Sequence, residues 1–208
     1  IAPVTEAARE EARRRLGLTR DLKVIGTTAR LARQKGPIDM VDAIAALERR
    51  DVRMVWVGDG ELRPEVERRI ADHGLGDRFI LLGDRDDVPD LLPAFDVLAM
   101  SSLWEGLPCS VIEAMTCGIP VVATAVNSVP EVVIPGRTGL LARPQDASSL
   151  SRALAYMLDH PGEAARMAAA AREQMSHDSR PEALGDELAG VYDSALRVGA
   201  RSSREIAA

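Results

Sequence analysis

Two carboxylates, Glu105 and Glu113, and two cations, Arg30 and Lys35, are the candidate reactive groups of this chain. Glu105 and Glu113 are separated by seven residues, and the first is followed by Gly106-Leu107-Pro108. Proline lacks an N–H and has φ fixed near the helical value, so it opens helices well. The pattern predicts a short helix over 109–117, stopped by Gly118. The first turn of a helix presents unpaired N–H groups and a partial positive charge. A loop entering such a terminus can hold an anion, while Glu113, about a turn in, can accept hydrogen bonds from neutral hydroxyls. Arg30 and Lys35 lie in or beside a second loop, Ala29-Arg30-Leu31-Ala32-Arg33-Gln34-Lys35-Gly36. There the two could converge on a diphosphate, Arg as a bidentate fork and Lys as a mobile point charge. Spacing alone describes the first stretch equally well as a solvated glutamate and an ordinary loop, and the second more simply as a surface loop that carries Arg and Lys.

The elements that must position these residues alternate. Apolar runs at 22–28, 53–57, 79–82, 96–100, 120–123 and 138–142 read as strands. Helices are expected at 5–16, 37–49, from the 58–61 turn to 73, 89–94, 109–117, 146–158 (Asp146 as cap), 161–175 and 181–197, with 198–208 frayed. Such alternation argues for an α/β fold: a Rossmann-like, doubly wound parallel sheet of about six strands with helices on both faces. Ligands bind such sheets outside the carboxyl ends of the strands. Arg30, Lys35, Gly58, Arg85, Glu105 and Gly106 all fall just after strands. One rim would carry them all, which points to a nucleotide-sized, phosphate-bearing ligand.

Other stretches have plainer readings. Arg13-Arg14-Arg15 reads as the solvated face of the first helix, and the acidic run 84–87 as a solvated loop with Asp87 as a helix N-cap. Gly58-Asp59-Gly60 lets the backbone approach a ligand closely, and is equally a normal way to leave a strand and start a helix.

Composition narrows the function classes. At 208 residues the chain can form one sizeable domain, and its 46% apolar and 28% charged content is that of a soluble globular protein. A net charge of −6 argues against a broad nucleic-acid-binding face, so phosphate recognition should be local. Cys109 and Cys117 read as small packed residues, and His73, His160 and His177 lack metal-ligand spacing. No apolar run approaches the roughly 20 residues of a membrane span, and no signal peptide is visible. The sequence carries neither Gly-x-Gly-x-x-Gly nor a Walker motif, which counts against a nicotinamide dehydrogenase and a P-loop enzyme. It begins at Ile1-Ala2-Pro3 without Met and is read as a fragment.

The Glu-x7-Glu spacing with Gly106-Leu107-Pro108 resembles the motif of retaining glycosyltransferases of the GT-B fold. The resemblance is to the group 1 (family 4-like) enzymes, which include sucrose synthases and bacterial mannosyltransferases, and it spans about 22–197. It implies that Glu105 lies beside the donor sugar, orienting its hydroxyls, and that Glu113 binds the ribose hydroxyls. Ala29-Arg30-Leu31 with Lys35-Gly36 looks like the family's Gly-Arg-Leu-(x)-Lys-Gly, with Ala29 for the usual Gly. That assigns the donor diphosphate to Arg30 and Lys35. The turn at Gly83 to Arg85 would cradle the base through backbone groups, and Gly58, Gly106, Leu107 and Pro108 would complete the nucleotide-sugar site. Asn127-Ser128 stands where relatives often show Gly-Gly before x-Pro-Glu.

By this resemblance, residues 1–208 are one nucleotide-sugar-binding domain with its core over about 22–180, the C-terminal half of a GT-B enzyme. The N-terminal acceptor domain would be absent. The implied reaction is hexosyl transfer with retention from a nucleoside-diphosphate sugar to a glycan, lipid or small-molecule acceptor. Arg30, Lys35 and Glu105 would be its catalytic residues, with no metal and no cofactor besides the donor. Asp84 and Asp86 have Asp-x-Asp spacing, but a base-cradling turn is their expected home. The location expected is cytoplasmic, with peripheral membrane association open to the full enzyme. The isolated chain is expected to bind donor, transfer nothing and self-associate through 181–197. A GT-B nucleotide-sugar epimerase and a non-catalytic nucleotide-sugar-binding module are the alternatives.

Overall fold

The computed structural model describes residues 3–178. In chain order these form α1 (Glu6–Arg15), β1 (Lys23–Thr28), α2 (Pro37–Ala46), β2 (Val52–Val57), α3 (Arg63–Asp72), β3 (Phe79–Leu81), α4 (Val88–Leu91) and β4 (Val97–Met100). Then follow α5 (Cys109–Cys117), β5 (Val121–Thr124), α6 (Val129–Val132), β6 (Leu140–Ala142), α7 (Ala147–Asp159) and α8 (Pro161–Asp178). Short 3₁₀ turns cover Arg33–Lys35 and Leu92–Ala94.

Local chemistry sets many of these limits. The Thr5 hydroxyl oxygen accepts the Ala8 N–H at 3.2 Å, and Asp146 Oδ1 accepts the Ser149 N–H at 2.7 Å, capping α1 and α7. Prolines stand in the first turns of α2, α3 and α4. Gly118, left-handed at φ 74°, ends α5 where the sequence predicts.

The six strands form one parallel sheet in the order β3-β2-β1-β4-β5-β6. β4 and β5 are buried at every position, as central strands covered on both faces must be. Ile25, Met54, Trp56, Val97 and Val122 share one core with Met40 and Ile44 of α2, Val66 of α3 and Leu154 of α7. The alternate residues Val24, Val55, Leu98 and Val121 are buried too, on the face where α1 meets α4 and α5 lies along β4 and β5. The chain winds outward from β1 to β3, then returns to place β4 against the other edge of β1. The switch in winding direction therefore lies between β1 and β4, where such sheets open a crevice.

The doubly wound α/β fold is as expected, with four local corrections. Cys117 is buried as expected, but Cys109, in the first turn of α5, is exposed and not packed. Arg14 and Arg15 do lie on the surface, paired with Glu11. Arg13 does not: it is only 7% exposed, and its guanidinium donates to the carbonyls of Ala94 (3.3 Å) and Leu22 (3.2 Å) and to Asp96 Oδ2 (2.7 Å). Asp87 stands at the N-cap position of α4, but its carboxylate takes a two-pronged hydrogen bond from Arg85, both prongs at 2.7 Å, and caps nothing. Helix α6 was not expected, although Pro130-Glu131 supplies the residue types of a helical first turn.

The chain divides into two units, Ile1–Arg172 and Glu173–Ala208. The first contains the sheet and α1 to α7; of the second, only 173–178, the end of α8, is described. The expected helix over 181–197 lies outside the described residues. Among those described, no helix is long and apolar enough to cross a membrane.

Candidate functional site

The crevice is built from two loops, residues 29–36 after β1 and 101–108 after β4. The first leaves β1 pinned to its neighbour: the Ala29 N–H donates to Val57 O and the Leu31 N–H to Asp59 O, each at 2.9 Å. It then tightens into the 3₁₀ turn and ends on Gly36, left-handed at φ 56°. A Cβ on Gly36 would sit 2.2 Å from the Ser101 carbonyl oxygen. Only glycine lets the two loops cross this closely. Ser101 Oγ donates to Lys35 O at 2.8 Å, the Leu103 N–H to Gln34 O at 2.8 Å, and Gln34 Nε2 to Trp104 O at 3.0 Å. The loops are thus one unit, stitched mostly through backbone groups.

On this frame Lys35 Nζ meets Glu105 Oε1 at 2.6 Å. The same oxygen accepts the Ser102 hydroxyl at 2.5 Å, and Oε2 takes no hydrogen bond from the described residues. Glu105's side chain is 3% exposed and Lys35's 24%. Lys35 is therefore no longer the free point charge that its sequence position suggests, because a buried carboxylate already holds it. Arg30 is exposed and has no ion-pair partner among the described residues, so it is a cation open to a ligand, as is Arg33 in the same loop. Gly106 opens onto empty space, with nothing within 4 Å of a Cβ added there. Pro108 stands at the cap position of α5, and no side chain caps that helix. Glu113, half-buried on α5, has no hydrogen-bond or ion-pair partner among the described residues. Trp104 and Leu107, 47% and 67% exposed, flank Glu105 and Gly106.

The neighbouring rim holds the other expected residues. The Gly58 N–H donates to Gly83 O at 2.8 Å, joining the ends of β2 and β3. A Cβ on Gly58 would lie 2.1 Å from Ala29 O, and one on Gly60 would lie 2.6 Å from Leu31 O. The close approach expected of Gly58-Asp59-Gly60 is therefore to the β1–α2 loop of the protein itself. Gly83, at φ 71°, keeps room around it, with Arg63 Nη2 the nearest atom to an added Cβ at 3.5 Å. Asp59 accepts from Arg63 Nε at 2.8 Å, and that bond, with the Gly60 N–H, holds its carboxyl below the usual range. Asp84 is committed to the Asp59 N–H at 3.0 Å. Arg85 is tied to Asp87, which leaves the backbone of this turn as its open face. Among the described residues, no group of three or more His, Cys, Asp or Glu side chains could hold a metal ion.

Sequence reasoning missed the side chains that reach this site from the end of β5 and its connection to α6. Thr124 Oγ1 donates to Ser102 O at 2.6 Å, Asn127 Oδ1 accepts the Glu105 N–H at 3.1 Å, and Ser128 Oγ donates to Gly106 O. The available signal was Asn127 at a position usually glycine, because asparagine tolerates a left-handed backbone, here φ 44°.

Cleft size does not select the site. A cleft of about 380 Å³ lies at the opposite ends of the strands, beside Lys23, Asp96 and Pro120. One of about 290 Å³ borders the switch, lined by Arg33, Gly36, Asp39, Leu62 and Leu103. The second lies where the two loops meet at Gly36 and Leu103, so position favours it.

Residues 8–174 match the family described as glycosyl transferases group 1. The chain is 34% identical over 192 residues to the alpha-D-kanosaminyltransferase of Streptomyces kanamyceticus, covering 90% of this chain and 50% of that protein. It is also 34% identical over 200 residues to the lipopolysaccharide core biosynthesis mannosyltransferase LpsB of Rhizobium meliloti, covering 90% and 56%. Among solved structures it resembles Anabaena HepE in complex with UDP and glucose, with TM-score 0.81, 28% identity and coverage of 91% of this chain and 53% of that one. The chain spans about half the length of the curated relatives it matches.

Proposed function

The chain belongs to the group 1 glycosyl transferases, and from that premise we propose that it is the donor-binding half of a retaining GT-B hexosyltransferase. It takes a nucleoside-diphosphate sugar across the crevice between β1 and β4. The observation that carries this reading is the Lys35–Glu105 pair spanning the switch, with Arg30, Gly106 and Glu113 left open around it. UDP with glucose in the HepE complex supports the ligand class.

The largest physical problem in glycosyl transfer is charge developing on the departing diphosphate, and fixed donors aimed at that charge lower the barrier. Arg30 supplies a planar fork, and the uncapped start of α5 supplies N–H groups and a helix dipole. Lys35 adds its positive charge, while Glu105 Oε2 faces sugar hydroxyls as an acceptor. Glu113 takes the ribose hydroxyls, and the backbone around Gly83 to Arg85 takes the base. These groups act without a metal. The second half of the enzyme supplies the acceptor and the other wall of the cleft. Without that wall the sugar is neither oriented nor shielded from water, and orientation alone is worth about 7–11 kcal/mol at best. The chain by itself should therefore bind donor and transfer nothing.

Calorimetric titration of the 208-residue protein with UDP, GDP, UDP-glucose and GDP-mannose, with and without chelator, tests the reading. Binding that needs the diphosphate and ignores chelator is expected. Absence of binding to the whole panel, or a strict need for Mg²⁺ or Mn²⁺, would overturn it.

A further inference from the structure

We propose that Asn127 is a positioning residue for the donor site, one half of a latch through which the β5–α6 connection sets the placement of Glu105. The inference rests on the nucleotide-sugar reading for its functional consequence, though not for the latch itself.

Glu105 is gripped from two directions. Its carboxylate is drawn to Lys35 of the first loop, while its N–H is taken by Asn127 Oδ1 from the opposite side. Beside it, Ser128 donates to the carbonyl of Gly106. Neither side chain serves its own element. Ser128 stands at the N-cap position of α6, where a serine hydroxyl ordinarily accepts from its own helix, yet it makes no such bond. Asn127 is exposed, so packing does not fix it, and it holds φ at 44°, a region costly for most L residues. Asparagine combines tolerance of that backbone with a side-chain acceptor. Both requirements are met at one residue, whose acceptor falls on the amide of the buried acid.

Losing this bond should leave the nucleoside end of the site intact, because the Asn127 side chain is hydrogen-bonded to Glu105 and not to Gly83, Arg85 or Glu113. It should loosen the sugar end, where Glu105 and Gly106 stand. The latch thus acts on donor-sugar recognition through the placement of Glu105.

Two substitutions separate backbone from hydrogen bond. Asn127→Gly accepts the left-handed backbone but has no acceptor, whereas Asn127→Asp keeps both. Trp104 adjoins Glu105 and is exposed, while Trp56, the other of the two tryptophans, is wholly buried, so acrylamide quenching reports on this loop. In the ligand-free protein, Asn127→Gly should speed amide exchange at Glu105 about fivefold, the loss of one ordinary hydrogen bond, and raise quenching. It should weaken UDP-glucose binding by about the same factor and UDP binding by less than about twofold. Asn127→Asp should restore all of these. Wild-type exchange and quenching in Asn127→Gly would overturn the latch, as would an Asn127→Asp variant as impaired as Asn127→Gly. If the wild-type protein binds no donor at all, the functional reading fails, and exchange and quenching still decide the latch.

Discussion

The two ends of the strands hold the same ingredients, arginines and carboxylates, arranged to opposite ends. At the amino end of β4, Asp96 accepts from Arg9 at 3.0 Å, from Arg13 at 2.7 Å and from the Val24 N–H at 2.7 Å. Arg13 in turn is used by carbonyls on both sides, so α1 is bolted to the sheet and the charges of this cluster are committed to one another. At the carboxyl end, Arg30 and Glu113 have no partner among the described residues, and the Lys35–Glu105 pair lies between these extremes. A charge that the fold satisfies holds the fold. One left open at the switch in winding direction is available for binding.

The largest effect is expected at Arg13. Arg13→Ala removes packing, leaves Asp96 with Arg9 and the Val24 N–H, and takes a donor from the carbonyls of Ala94, Arg20 and Leu22. Several hydrogen bonds lost at about 1 kcal/mol each should cost about 3 kcal/mol. Chemical denaturation should show that loss, with nucleotide affinity of the folded fraction unchanged. A midpoint equal to wild type would mean that the cluster is not what holds α1.

Glu113→Ala should do the reverse. Loss of a charged acceptor for the ribose should weaken nucleotide binding by about 1.5–3 kcal/mol, with stability within about 0.5 kcal/mol of wild type. Calorimetry paired with denaturation reads both, and unchanged affinity would remove Glu113 from the site.

Lys35 and Arg30 sharpen the contrast within one loop. Lys35→Ala strands the Glu105 carboxylate and should lower stability by about 1–3 kcal/mol as well as weakening donor binding. Arg30→Ala should leave stability alone and weaken diphosphate binding by about 1 kcal/mol, the modest value of a solvent-exposed charge. That loss should shrink as salt is raised. Equal stability losses in the two variants would show that the Lys35–Glu105 pair does not bear on the fold.

The smallest effect concerns two aspartates of α2. Burial, helped by the charge of Asp42, pushes the Asp39 carboxyl up, while the Arg69 hydrogen bond, against some burial and with help from His73, holds Asp42 down. The signs are opposite. Ionised Asp42 adds stability that is present above its unfolded value of about 3.9 and is lost as pH falls through its lower folded value. Ionised Asp39 subtracts stability at neutral pH, and that penalty is relieved as pH falls through its raised folded value. Asp39→Asn should therefore raise the thermal midpoint slightly at pH 7, with the gain gone below about pH 3.5, where both states are protonated. A lower midpoint at pH 7 would show that the position of Asp39 in the first turn of α2 outweighs its burial.

What the sequence determined by itself is what short-range interactions decide. Helices α2, α5 and α7 follow from a proline or aspartate at the start, and the parallel sheet from apolar runs recurring between helices. The rim residues were legible because strand ends are local, and a doubly wound sheet gathers its carboxyl-end loops on one side. Tertiary structure alone decided which charges are paired. Arg13 and Asp96 are 83 residues apart, Lys35 and Glu105 are 70 apart, and Asn127 reaches Glu105 across 22. In the sequence Arg13 and Arg30 look alike, as two basic residues flanking helical or loop segments. What separates them is what the folded chain brings within about 3 Å of each guanidinium, the reach of a hydrogen bond. No residue-type pattern carries that information, because it depends on how the sheet closes over distant parts of the chain.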